Sequence, residues 1–458
     1  MRARSLAQKR KTRWGRLWQW LKVPANIFII ALVILAMIRV ATPDRDAEII
    51  HELESQEVVV RGRLYEDPDL EDNSYRVRIR DLTLCTGEND CSQVAANVFV
   101  MFRATAITDT LERGDAIAVR GQMRSGFGAF AGSIYRATVI SHTKSDPPDR
   151  FLQIRNWFSA GVEEYIAAPE SSLALGYMLG QKRALPSALL QVLAITGLTH
   201  IVVASGANLT IITRMLRRLF SRSRISALIL SIIAVGFMVG VIGLAPSLIR
   251  ASLVSILALV AWYMGRPVHP VRLILLAAAT TLVMSPTFIL DMGWQLSFAA
   301  FIGVLLVAPV LTRFFYGEKK PKTLSQIMIE TTAATLTTLP ILLYSFGYIS
   351  LLSLIPNLLI LPTIPIAMLL AFATGVLAIF FAPLAELLGW LATVILRYHI
   401  SVMNIFGEME FALLEVEWSL WQAAVAYAVI LVIWVAMKTK SKTRLLEVNI
   451  VEWEHERK

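Results

Sequence analysis

The sequence predicts a polytopic α-helical membrane protein of about ten spans plus re-entrant segments, with a small extracytoplasmic OB-like β-barrel domain after the first span. Three observations predict it. Of 458 residues, 56% are hydrophobic and 17% charged, and the mean hydropathy is +0.59; soluble domains carry about 25% charged residues. Ten apolar runs approach the roughly 20 residues that a bilayer span needs: 24–41, 190–213, 225–244, 248–264, 271–286, 292–311, 326–345, 363–382, 384–404 and 419–437. Residues 44–145 break this pattern and alternate apolar with polar between turn residues, the period of half-buried strands.

The first run follows a basic tail in which residues 1–22 hold eight Lys/Arg and no acid. Its long apolar core, 23–38, leads into Thr42-Pro43-Asp44 rather than an AxA-like cleavage sequence. Residues 1–43 therefore read as a cytoplasmic tail and an uncleaved signal anchor. The rest of the +10 net charge is also clustered: Arg214, Arg217, Arg218, Arg222 and Arg224; Arg313, Lys319, Lys320 and Lys322; and Lys438, Lys440, Lys442 and Arg444 in a tail over 438–458. Positive charge near span ends marks the cytoplasmic side. Ten crossings put all these clusters and both termini inside. They put residues 44–145 outside, together with the acidic stretch of Glu408, Glu410, Glu415 and Glu417. Residues 347–362 must then dip into the membrane and return.

Within 44–145, five segments alternate: 57–64, 75–84, 96–102, 115–123 and 132–141. Five strands in about 100 residues suit an OB-fold barrel. Cys85 and Cys91, the only cysteines, flank five residues; a disulfide is expected in an oxidising exterior, with two idle thiols as the alternative. No further Cys or nearby His completes a zinc site. OB-folds bind single strands on basic faces with stacking aromatics. Arg76, Arg78, Arg80, Arg120 and Arg124, with Tyr75, Phe102, Phe127 and Tyr135, are the candidates for DNA contact. Against this, residues 44–150 hold 13 Lys/Arg and 19 Asp/Glu, and alternating Arg is commonly a solvated strand face, so a structural or partner-docking role is favoured for the domain as a whole.

The membrane half, 146–437, carries four polar interruptions. Residues 173–186 read as a short surface helix leading into LAITGLTHIVVASGANLTII (193–212), where Gly197 and Gly206 break an apolar run holding His200, Ser205 and Asn208. Irregular polar backbone survives at membrane depth only against protein or a water-filled cavity. Pro246 opens a helix that carries Arg250 in about its first turn, where exposure to lipid costs about 2.5–3.5 kcal/mol. Gln295 and Ser297 sit among aromatics in DMGWQLSFAAFIG (291–303). Pro356, Pro362 and Pro365 forbid one straight helix over 346–365, which also carries Asn357. Each polar group alone is explained by helix–helix hydrogen bonding; four such segments favour a polar conduit, with a solute transporter and a membrane scaffold that docks partners as the alternative functions. Catalysis and metal binding find no motif: Ser205 lacks a GxSxG elbow, and the six His have no metal spacing. His269 reads as surface and His399 as an interfacial end.

In order and spacing, GLTHIVVASGANL, PSLIRAS, GWQLSFAAFIG and FGYISLLSLIPNLLILP resemble the competence domain of the ComEC DNA-uptake family, over roughly residues 25–405. The resemblance implies passage of one DNA strand through the cytoplasmic membrane in natural transformation. Its channel-lining positions would be His200, Ser205, Gly206, Asn208, Arg250, Gln295, Ser297 and Asn357. The family reads SGLH where this chain has Ser205-Gly206-Ala207-Asn208. No HxHxDH nuclease motif and no GxxxxGK[ST] follow, so the reading expects no enzyme activity and no cofactor. The expected partners are single-stranded DNA, the lipid bilayer, a DNA receptor, a separate nuclease and a cytoplasmic motor or helicase.

Overall fold

The computed structural model describes residues 24–443 apart from 43–44, 72–73, 87–90, 105–110, 182–184, 203–205, 221, 244–245, 266–268 and 410. Helix α1 (Pro24–Ala41) is apolar over most of its length, with Arg39 in its last turn, and is followed by α2 (Arg45–Glu52). Ile50 of α2 joins the core of a barrel built from the alternating segments. Its strands are β1 (Glu57–Leu64), β2 (Asp69–Glu71), β3 (Ser74–Cys85), β4 (Cys91–Val94), β5 (Val98–Arg103), β6 (Ala116–Ser125), β7 (Gly132–Ile134) and β8 (Thr138–Thr143). Five of them close in the order β1-β3-β5-β7-β6 and back to β1. Every pair is antiparallel except β5–β7, the five-stranded Greek-key closure of an OB-fold.

The period of two sorts the side chains. Tyr75, Val77 and Ile79 of β3 pack inward with Val98, Val100 and Phe102 of β5, while Arg76 and Arg80 point out. The register of β1 shifts between Arg61 and Arg63. A Cβ on Gly62 would stand 2.7 Å from the Arg80 carbonyl oxygen, so only glycine fits this bulge. Cys85 and Cys91 face each other across the β3–β4 hairpin and are bonded. Closing so short a loop restrains the unfolded chain by about 2 kcal/mol. Replacing both by Ser should lower the barrel's stability by that amount, read as faster hydrogen exchange of β3 and β5 amides.

The membrane half comprises α3 (Arg150–Tyr165), α4 (Glu170–Leu179), α5 (Ser187–Ile195), α6 (Gly206–Leu219), α7 (Arg224–Ile242), α8 (Pro246–Tyr263), α9 (Pro270–Met284), α10 (Met292–Ile302), α11 (Ala308–Tyr316), α12 (Thr323–Phe346), α13 (Leu354–Ile360), α14 (Ile364–Leu377), α15 (Ala382–Gly407) and α16 (Leu420–Ser441). A π-helical turn, Gly303–Val307, joins α10 to α11, where a Cβ on Gly303 would lie 2.5 Å from the Ala333 carbonyl oxygen of α12. Among the described residues, six stretches are long and apolar enough to cross a membrane, or seven if α13–α14, bent by 48°, is counted as one span. The described residues do not confirm the expected ten. The run 190–213 is split among α5, a 3-10 turn and α6, and α8 and α9 fall short by length. Strands β9 (Tyr348–Ser350) and β10 (Leu413–Glu415) pair antiparallel.

The principal membrane core gathers α3, α4, α5, α13, α14 and α15. Helix α4 corrects an expectation. It reads as a surface helix, yet all ten of its residues are buried. Its face has no polar side except Glu170, Ser171 and Ser172, and a helix apolar all round belongs in a core.

Candidate functional site

Pro246 opens α8 as expected, and Arg250 follows in the first turn or so. Arg250 is 3% exposed. Its Nη2 donates to the Gly293 carbonyl oxygen at 2.7 Å, and the guanidinium stands 5.6 Å from the centre of the Phe298 ring. Its Nε and Nη1 find no hydrogen-bond partner among the described residues. The nearby Asp291 carboxylate is engaged as the N-cap of α10, accepting from the Trp294 amide at 2.6 Å. The site is thus a buried cation with donors to spare, a surrounding that suits the oxygens of an anion.

Gln295 and Ser297 lie on the same helix, α10. Gln295 Nε2 donates to the Ile289 carbonyl oxygen at 2.9 Å, and the side chain lines a cavity of about 660 Å³ with Trp294, Phe298, Thr337, Tyr427 and Trp434. Ser297 is half-buried.

A second group forms where two broken segments meet. Gly197 has φ +69°, and a Cβ there would lie 2.6 Å from the Ser353 Cβ, a close approach that only glycine permits. His200, in the 3-10 turn Thr199–Ile201, is exposed, with Nδ1 3.1 Å from the Gly197 carbonyl oxygen. Asn357 is 3% exposed and donates through Nδ2 to the Ser353 carbonyl oxygen at 2.7 Å. Its Oδ1 accepts no hydrogen bond among the described residues. Gly206 begins α6 and Asn208 lies in its first turn; Ser205 falls outside the described residues. Helix α12 packs on both α10 and α13 and so stands between the two groups.

His399 was missed. It reads as an interfacial end but is fully buried, with Nδ1 3.2 Å from the Tyr177 hydroxyl and Nε2 2.7 Å from Thr363 Oγ1. Glu170 accepts from Arg397 Nε at 2.9 Å nearby in sequence. Tyr177 lies 222 residues away in the chain, so no local pattern signals the contact. His399→Phe removes the hydrogen bonds to Tyr177 and Thr363 and should cost about 1–3 kcal/mol, checked by thermal unfolding in detergent.

On the barrel, Arg76, Arg78 and Arg80 point outward from β3 as expected. Tyr75 and Phe102, expected to stack on bases, are 2% and 1% exposed; their strand parity turns them into the core. Arg80 covers Tyr65 at 4.8 Å, and Arg120 is exposed on β6 between Val59 of β1 and Thr138 of β8. Arg78 pairs with Glu66 at 2.9 Å. Burial raises the Glu66 pKa, opposed by Arg78.

Two buried arginines dock the barrel. Arg113 donates to Asp149 at 2.6 Å and to the Gly240 carbonyl oxygen at 2.8 Å. Burial would raise the Asp149 pKa, but its bond and charge contact with Arg113 outweigh this and lower it. Arg155 of α3 pairs with Asp67, with Nη2 3.1 Å from Oδ1. Farther along, Gly128 lies against the Leu290 carbonyl oxygen. The barrel therefore stands on the turns before α8 and α10, the helices that supply Arg250 and Gly293.

No solved structure matches the chain. It is 25% identical over 281 residues to ComE operon protein 3 of Bacillus subtilis (strain 168), across 59% of this chain and 35% of that protein. The chain thus spans about a third of that relative's length. The profile of the family described as Competence protein matches residues 177–440, from the buried α4 through Arg250, Gly293 and Asn357 to α16. Covering more than half of the sequence, that match places the chain in the competence protein family.

Proposed function

We propose that the chain passes one strand of DNA across the cytoplasmic membrane during DNA uptake, with residues 44–145 outside. One observation carries the reading: a buried Arg250, one turn into a membrane helix and under the docked barrel, with guanidinium nitrogens left unbonded by the described residues. An ionisable group kept inside the apolar membrane half serves function by default. At about 1.5 Å of rise per residue, Arg250 lies only about 6 Å from the start of α8. It therefore belongs at the outer mouth, where a strand with one charge per nucleotide first loses bulk water. The half-satisfied Asn357 and the Gly197–Ser353 contact build a second polar point deeper in the bundle.

Passage of this kind needs no bond chemistry in this chain. A DNA receptor, a separate nuclease and a cytoplasmic motor or helicase complete the route in this proposal. The test is uptake of labelled DNA into a nuclease-protected cytoplasmic pool. Deleting the gene should empty that pool and the wild-type chain should restore it. An unchanged pool in deleted cells shown to be competent would overturn the reading.

A further inference from the structure

We infer that the barrel face nearest the membrane is a base-stacking platform that receives single-stranded nucleic acid and hands it to the Arg250 mouth; this rests on the channel reading above. Four rings from separate positions converge there. Phe99 of β5 lies 5.2 Å from Phe127, 5.6 Å from Phe130 and 6.0 Å from Tyr135, and Phe127 lies 5.2 Å from Phe130. Phe127 and Tyr135 are 45% and 38% exposed. A barrel with a complete core of its own has no folding need for such rings at its surface.

Cations are already seated on these rings. The Arg78 guanidinium lies 5.3 Å from the Phe130 centre, and that of Arg124 lies 5.8 Å from Tyr135. Guanidinium beside exposed aromatic faces is the pairing that holds single strands, phosphate on the cation and base on the ring. Beside the rings, a shallow cleft of about 560 Å³ is lined by Gln122, Arg124, Ser133 and the single acid Glu54. Residues 44–150 hold six more acids than bases, but the cleft itself is lined by one acid, and the Glu66 carboxylate is matched by Arg78.

The position gives the platform its direction. The loop carrying Phe127 and Phe130 places Gly128 against Leu290. Leu290 immediately precedes Asp291 and Gly293, and the Gly293 carbonyl holds Arg250. A strand stacked on the rings therefore arrives beside the buried Arg250 guanidinium, which can take its next phosphate. A duplex, whose bases are hidden, gains nothing from the rings.

The test uses the full chain in lipid nanodiscs and a fluorescent 20-nucleotide single strand of mixed sequence, read by anisotropy, with the matching duplex as competitor. Two stacking contacts at about 1–3 kcal/mol each predict at least a tenfold loss of single-strand affinity for the Phe127→Ala, Tyr135→Ala double variant. Arg124→Gln should weaken binding less and lower the salt slope by about one phosphate contact. Unchanged affinity in the double variant overturns the platform, as does a duplex that binds as tightly as the single strand. If the rings instead rest on the bilayer, the double variant keeps its DNA affinity and loosens the barrel from nanodiscs, which also overturns it. The uptake assay separates this failure from failure of the channel reading, because gene deletion tests passage without reference to the rings.

Discussion

Arg250→Gln and Arg250→Met should each cut DNA uptake by at least about 100-fold while the protein stays in the membrane at wild-type level. The size follows from losing two charge-assisted hydrogen bonds to passing phosphate, at about 1.5–3 kcal/mol each. The small effect on folding follows from the same geometry. Arg250 makes one hydrogen bond, to Gly293, and one ring contact, to Phe298. Its other nitrogens are buried with no hydrogen bond among the described residues, and replacing such a charge by an apolar group of similar volume is commonly neutral or stabilising. Arg250→Lys keeps the charge but not the planar fork, so partial uptake should survive. Transformation frequency together with membrane immunoblots measures both sides. A Met variant that transforms normally, or one that disappears from the membrane, contradicts the account.

Removing both docking arginines, Arg113→Ala with Arg155→Ala, should free the barrel without unfolding it. Each side chain is 9% exposed, while Asp149 and Asp67 are 26% and 33% exposed. Breaking a buried pair costs about 3–5 kcal/mol, and the partial exposure of the acids puts each pair at or below the lower end. The barrel keeps its own core and disulfide, so the loss falls on the connection over 144–150. Local opening eased by about 3 kcal/mol raises the open population roughly 100-fold, and cleavage by trypsin after Lys144 and Arg150 should accelerate to match. Uptake should fall as well, because the platform no longer stands over the α8 and α10 turns. Unchanged cleavage contradicts the docking account.

Local chemistry made the barrel legible. Alternation of Val and Arg along β3 set each side chain's face, β1 runs over the expected 57–64, and the Cys pair closes the hairpin it was expected to close. Proline made the start of α8 and the bend between α13 and α14 legible for the same reason, since its missing N–H acts within one turn. What stayed hidden depends on contacts distant in sequence. Helix α4 carries no mark distinguishing burial by protein from lying at a surface, because apolar residues suit both. Tyr177 reaches His399 from α4, and Thr363 from the turn between α13 and α14. Phe99 and Phe130 become part of a ring cluster only once β5 and the β6–β7 loop meet. The span count stayed open because hydropathy cannot tell a run broken by Gly197 from one that crosses.

The central claim is that the strand passes the polar residues of α10 and the Gly197–His200 turn. A photo-crosslinking amino acid placed at Gln295, at His200 and at the exposed, lipid-facing Val432 tests it during active uptake of labelled DNA. The account predicts DNA adducts at 295 and 200 and none at 432. Normal uptake with no adduct at 295 or 200, or with equal labelling at 432, would contradict it.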